Sequence, residues 1–232
     1  MKLATWNCDQ AFRKKQHQLR EIEPDIAVVP ECENPVEKGD WSEFTDWQWT
    51  GDDPHKGLGV FTRNVITITD TTEIVEADHF LHVETGVVDV LAIWAMNDDE
   101  NPRQRYIGQV YTALENHPEL LDENTVVAGD FNWNVIWDES PKSPLCGDFG
   151  DVRGELNQNE LYSAYHAVCG DEFGEETETT FYMHKKEERP YHIDYAFVPG
   201  HRINSEAEVT VGRYDDWIDA SDHMPLLVET DP

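Results

Sequence analysis

Thr125-Val126-Val127-Ala128-Gly129-Asp130-Phe131-Asn132 is the stretch on which the reading of this chain turns. Thr125 to Ala128 is a short apolar run of buried-strand length. It leads into Gly129, a residue that lets a backbone bend or approach a neighbour closely. Asp130 and Asn132 follow two residues apart, so extended geometry would point both side chains to one face at the strand's C-terminal end. In α/β proteins that is where sites are assembled. Taken alone, Gly129 to Asn132 also reads as an Asx turn after a strand.

Working outward, Lys2 to Trp6 is a short strand ending in a polar turn. Phe12, Gln16, Leu19 and Ile22 then recur at helical spacing until Pro24, and Asp25 to Val29 is a second buried strand. Such a strand–helix–strand unit is a βαβ motif, which places Asn7 and Glu31 on one sheet edge. Strands are expected at Leu58–Thr62, Val65–Thr69, Phe80–Glu84 and Val87–Trp94, running as adjacent antiparallel neighbours. A helix is expected over Arg103–His117 and another over Gly154–Val168. Further strands are expected at Thr179–Tyr182, His192–Val198, Glu208–Val211 and Met224–Glu229. The pattern predicts an α/β fold of two packed mixed sheets with helices outside.

Composition narrows the setting. The 232 residues are 39% hydrophobic and show no linker or repeat, so residues 1–232 read as one domain. No apolar run is long enough to span a bilayer, and no standard export signal opens the chain, so a cytoplasmic protein without a membrane anchor is expected. Cys8, Cys32, Cys146 and Cys169 form no CxxC pair and fit free thiols in a reducing compartment. Forty-eight Asp and Glu against 17 Lys and Arg give a net charge of −31. This acid is spread along the chain, which favours a halophilic protein working in molar salt over one with a cationic partner.

Two further motifs carry chemistry. Ser221-Asp222-His223-Met224-Pro225-Leu226 sets an acid beside an imidazole at the start of the last strand, where Asp222 would orient or charge-stabilise the histidine. In His192-Ile193-Asp194-Tyr195, Asp194 sits inside an apolar run, and a buried carboxylate there needs a partner. Trp41, Trp47 and Trp49 read as packing residues or base-stacking platforms. Arg103, Arg105, Lys185, Lys186 and Arg189 are the local basic groups, and His166 and His184 have no partner at a motif spacing.

Trp6-Asn7-Cys8-Asp9, Pro24-Asp25-Ile26 through Glu31, Gly57-Leu58-Gly59-Val60, Gly129-Asp130-Phe131-Asn132, Thr180-Phe181, Ile193-Asp194-Tyr195 and Ser221 to Leu226 occur in that order over nearly the whole chain. Together they resemble the endonuclease/exonuclease/phosphatase superfamily. The resemblance implies a four-layer α/β sandwich and a metal-dependent phosphodiesterase. Glu31, with Asn7, Asp9 and Asp222, would bind Mg²⁺ or Mn²⁺, since hard cations take oxygen ligands. Asp130 would position or deprotonate the attacking water, Asn132 would donate to a phosphoryl oxygen, and His223, oriented by Asp194 or Asp222, would contact the same group or move a proton. Either Asp130 or His223 could be the base. Pro30 stands where many members carry Gln, and Trp94-Ala95-Met96-Asn97 stands where exonuclease III-like members have Tyr-x-Pro-Asn. A monomer cleaving DNA or RNA is the expectation, with a small or lipid-derived phosphate ester as the second reading and a non-catalytic binding module as a third.

Overall fold

The computed structural model describes residues 1–39, 43–74, 77, 79–142 and 144–231. Among these residues, fourteen strands form two six-stranded sheets and a short hairpin. The first sheet runs, in spatial order, β13 (Glu208–Val211), β14 (Leu226–Glu229), β1 (Lys2–Thr5), β2 (Ile26–Cys32), β4 (Lys56–Thr62) and β3 (Asp46–Asp53). The second runs β5 (Ile68–Glu73), β6 (Phe80–Thr85), β7 (Asp89–Trp94), β8 (Thr125–Asp130), β12 (Asp194–Pro199) and β9 (Leu161–Ser163). The hairpin pairs β10 (Phe181–Tyr182) with β11 (Pro190–Tyr191). Each large sheet is mixed: β1 pairs parallel with β2 and antiparallel with β14, while β8 pairs parallel with β7 and antiparallel with β12.

Alternation along the strands builds the layers. In β8, Val126 and Ala128 point between the sheets, where they meet Leu3, Val28 and Val60 of the first sheet, and Val127 points outward. Outside the second sheet, Val127, Leu91 and Phe197 pack against α3 (Ile107–Asn116) and α4 (Phe149–Gln158). Outside the first, Ala27, Val29 and Phe61 pack against Phe12 and Leu19 of α1 (Phe12–Arg20), and a single helical turn, α2 (Pro35–Lys38), follows β2. The order helix, sheet, sheet, helix is the four-layer α/β sandwich expected. Each fully buried Leu, Val or Phe contributes about 1.5–3 kcal/mol of burial, so the two outer seams hold the helices without help from capping at α1, whose N-cap residue makes no side-chain bond.

Gly129 is fixed by this packing. Its φ is +147°, and a Cβ there would lie 1.8 Å from the carbonyl oxygen of Ile93 on β7. No other residue fits without parting the central strands.

Several elements differ from expectation. Lys56–Thr62 pairs with β2 and β3 in the first sheet rather than with the strand that follows it, because Asn64 at φ +60° turns the chain towards the second sheet. The next strand therefore begins at Ile68 instead of Val65. Asp46–Asp53, around Trp47 and Trp49, is a strand that alternation did not reveal; both indoles pack on the α1 core. Trp41 lies outside the described residues. The helix expected over Gly154–Val168 is instead α4, β9 and α5 (Ala164–Cys169). A reciprocal capping box between Asp148 and Asp151 starts α4 early, and left-handed Glu160 ends it, freeing Leu161–Ser163 to pair with β12. All four cysteines are free.

Candidate active site

Six of the predicted residues converge where strand ends of the two sheets meet. Asn7 follows β1, Glu31 lies in β2, and His223 precedes β14; Asp130 ends β8, Asn132 lies two residues on, and Asp194 opens β12. Each sheet supplies three.

Asp130 and Asp194 sit opposite one another in the β8–β12 register, and both are fully buried. Two carboxylates withdrawn from water at this spacing need counter-charge and donors. His223 supplies the charge: its Nδ1 lies 2.9 Å from Asp194 Oδ2 and its Nε2 3.9 Å from Asp130 Oδ2. Asn7 Nδ2 donates to Asp130 Oδ2 at 3.0 Å, and the Asn132 backbone N–H donates to Asp130 Oδ1 at 2.8 Å. Asn132 adopts φ +51°, a conformation that asparagine tolerates, and its amide also donates to the Ala95 carbonyl at 3.2 Å.

Supporting contacts fix these groups. The Ser221 hydroxyl donates to the Asn7 carbonyl at 2.7 Å and accepts from the His223 backbone N–H at 3.0 Å. The Trp6 indole donates to the His223 carbonyl at 3.0 Å. Thr180 Oγ1 accepts from the backbone N–H groups of both Ile193 and Asp194 at 3.0 Å, which sets where β12 starts. These three residues fall inside the sequence motifs, but their tasks depend on contacts between positions up to 217 apart along the chain, which no motif spacing reveals.

Burial, and then the neighbouring Asp194 carboxylate, raise the Asp130 carboxyl to about 7. For His223, burial works against the charged form, but Asp194 and Asp130 overcome it and lift the imidazole to about 10. At neutral pH His223 is therefore an imidazolium. It can donate to an anionic oxygen and cannot accept a proton; Asp130, with a pKa near neutrality, can.

Glu31 reaches the site through a bulge. The β2–β4 register slips between Pro30 and Cys32, and Glu31 is left at φ +63°. Pro30, which has no N–H to donate, is accommodated next to that irregularity. Non-glycine residues held in the left-handed region cluster at functional positions. Asn7 Nδ2 lies 3.3 Å from Glu31 Oε1, and Lys56 Nζ lies 3.3 Å from Glu31 Oε2. The partly exposed carboxylate thus faces two donors, while Asn7 Oδ1 accepts from the Asp9 backbone N–H at 3.1 Å. A carboxylate that already draws positive charge, with an amide oxygen and the Asp9 carboxylate close in the chain, offers the oxygen donors that a hard divalent cation takes. One oxygen from each of Asp130 and Asp194 and a ring nitrogen of His223 also lie within 4.8 Å of one another. There His223 Nδ1 already stands 2.9 Å from Asp194 Oδ2, so these side chains pair with one another.

The other predicted residues lie at the margin. Asp9 is half exposed; its backbone N–H donates to Asn7 Oδ1 and its carboxylate pairs with Lys185 at 3.3 Å. Asp222 is half-buried, its carbonyl accepts from Tyr182 at 2.8 Å, and its charge adds to the field at His223. The residue that orients His223 is Asp194. His166, which showed no partner at a motif spacing, lies away from this set, between the Ser163 hydroxyl and Glu176. A recess of about 720 Å³ lined by His17, Glu21, Arg213 and Trp217 holds none of the site residues.

A two-sheet α/β sandwich whose strand ends gather an Asp–His–Asp cluster beside an oxygen-rich corner defines a class of phosphoester hydrolases. The chain belongs to the endonuclease/exonuclease/phosphatase family, which it matches over residues 4–223. Its fold superposes on an AP endonuclease from Archaeoglobus fulgidus (TM-score 0.73, 18% identity) and on the 3'-5' exonuclease NExo from Neisseria meningitidis (TM-score 0.73, 18% identity), with all of each chain covered. It is also similar to TDP2 from Caenorhabditis elegans (TM-score 0.67, 13% identity), over all of this chain and 97% of that one. No curated protein matches the sequence. Membership makes the protein a hydrolase of phosphoester bonds, in a family whose enzymes generally use divalent metal ions. No helix among the described residues is long and apolar enough to cross a membrane.

Proposed function

We propose that this protein is a Mg²⁺- or Mn²⁺-dependent phosphodiesterase cleaving nucleic acid, a single catalytic domain over residues 1–232 acting as a monomer. The observation that carries the reading is the chain of contacts Glu31–Asn7–Asp130–His223–Asp194, which joins a cation corner to a proton-handling pair. Glu31 and Asn7, with Asp9 and Asp222 nearby, would hold the ion; when bound it supplies Lewis-acid stabilisation of the phosphoryl oxygens. Asp130 accepts the proton of the attacking water. His223, kept charged by Asp194, donates to the phosphoryl oxygen where negative charge develops, and the Asn132 amide adds a second donor. Asn7 spans Glu31 and Asp130 and so sets the distance between ion and base.

Nucleic acid is favoured because the fold neighbours include nucleases and one 3' phosphatase, NExo from Neisseria, bound to a product DNA hairpin. The deciding experiment compares turnover on abasic-site duplex, plain duplex, single-stranded DNA and small phosphate esters, with Mg²⁺ or Mn²⁺, at molar KCl. Hydrolysis restricted to the small esters would overturn the nucleic-acid reading.

A further inference from the structure

Two lysines occupy positions that the reading above would give to a cation. Lys56 opens β4 and places Nζ 3.3 Å from Glu31; Lys185, between β10 and β11, places Nζ 3.3 Å from Asp9. The two carboxylates flank Asn7, which donates to one and accepts from the backbone of the other. We propose that Lys56 and Lys185 are phosphate-contacting residues in reserve: they neutralise Glu31 and Asp9 until a divalent cation takes those carboxylates, and the released ammonium groups then bind the phosphates of the substrate. This rests on the assignment of Glu31 and Asp9 as cation ligands.

Three features support the exchange. A chain of net charge −31 repels a polyanion, so the site needs local positive charge that its own acids do not cancel. Both pairs are part-exposed, with side-chain accessibilities of 36% for Lys56 and 41% for Lys185, so each is weak enough to yield to a divalent ion. Lys56 also has a second anchor. Its ammonium lies 4.9 Å from the centre of the Trp94 ring, and this cation–π contact keeps it at the site after Glu31 is engaged. Trp94 is aligned with Asp130 in the β7–β8 register, so the anchored charge stays beside the reacting groups. By linkage, ion and phosphate must then strengthen each other's binding.

Calorimetric titration of Mn²⁺ into wild type, Lys56→Gln, Lys185→Gln, Lys56→Arg and Glu31→Gln tests this, with fluorescence anisotropy of a short labelled duplex measured with and without Mn²⁺. Lys56→Gln and Lys185→Gln should each bind Mn²⁺ about two- to fivefold more tightly, the range set by coupling in a part-exposed ion pair. The Mn²⁺-induced gain in duplex affinity should shrink by a similar factor, and Lys56→Arg should restore both values. Unchanged or weaker Mn²⁺ binding in the two glutamine variants, with Glu31→Gln weakened, overturns the exchange alone. Unchanged binding in Glu31→Gln removes the cation assignment and the exchange with it.

Discussion

Nδ1 of His223 stands 2.9 Å from Oδ2 of Asp194, and both side chains are withdrawn from solvent. Asp194 opens a strand of one sheet and His223 precedes a strand of the other, so this ion pair spans the sheet interface at the site. Breaking it by removing one partner leaves a buried charge uncompensated.

Asp194→Asn keeps the shape of the side chain and removes its charge. The imidazole of His223 should then titrate well below its present value of about 10, because the largest of the carboxylate effects that hold it up is gone. Turnover should fall by roughly a hundredfold or more, and the remaining activity should decline at lower pH on the basic side. Asp130→Asn and His223→Ala should each lose at least about a hundredfold while circular dichroism stays native. A steady-state pH profile for each variant checks these outcomes; near-wild-type rates in any of them would remove that residue from the chemistry.

Metal-free stability should fall as pH rises. Asp130 is raised from 3.8 to about 7 and His223 from 6.5 to about 10, so both bind protons more tightly in the folded state. Their contribution is complete below the unfolded values and is lost through about pH 4–7 for Asp130 and about pH 6.5–10 for His223. Urea denaturation in EDTA across pH 5 to 10, compared with Asp130→Asn, measures this. The variant should lose the lower part of the slope.

Glu31→Gln should weaken Mg²⁺ or Mn²⁺ binding more than it changes stability in metal-free buffer. In the absence of metal the carboxylate is only partly buried and is paired with part-exposed Lys56, an arrangement of small net worth. Calorimetry and thermal melts on the same samples separate the two effects.

Stability should increase with KCl. At a net charge of −31, carboxylate repulsion acts over a Debye length of about 10 Å at 0.1 M salt and about 3 Å at 1 M. The Michaelis constant for DNA should be flat or should decrease over that range, opposite to the salt dependence of a nuclease with a basic binding face. Melting temperature and KM across a KCl series decide the matter; a protein most stable and active near 0.1 M would contradict the high-salt reading.

Much of the site could be read in one dimension because its residues lie where strands end. Asn7, Asp130, Asn132 and His223 each belong to a short polar segment abutting an apolar run, and Asp194 was conspicuous as a charge within one. The layer architecture follows from strand geometry, which sends Val126 and Ala128 into the core between the sheets and Val127 into the one beneath the outer helices. Pairing was another matter. That Leu58 to Thr62 joins the first sheet, that Asp46 to Asp53 is a strand, and that Leu161 to Ser163 leaves a helical pattern to flank β12 all depend on which edges were free in the folded sheet, and local propensity does not encode this. Tertiary structure alone also decided that Asp194 rather than Asp222 orients His223, and that lysines stand at Glu31 and Asp9. Adjacent residues on an extended chain point to opposite sides, so Asp222 is next to His223 in sequence while Asp194, 29 positions away, is next to it in space. The charge state of the histidine arises from that proximity and from burial, neither of which exists until both sheets have formed.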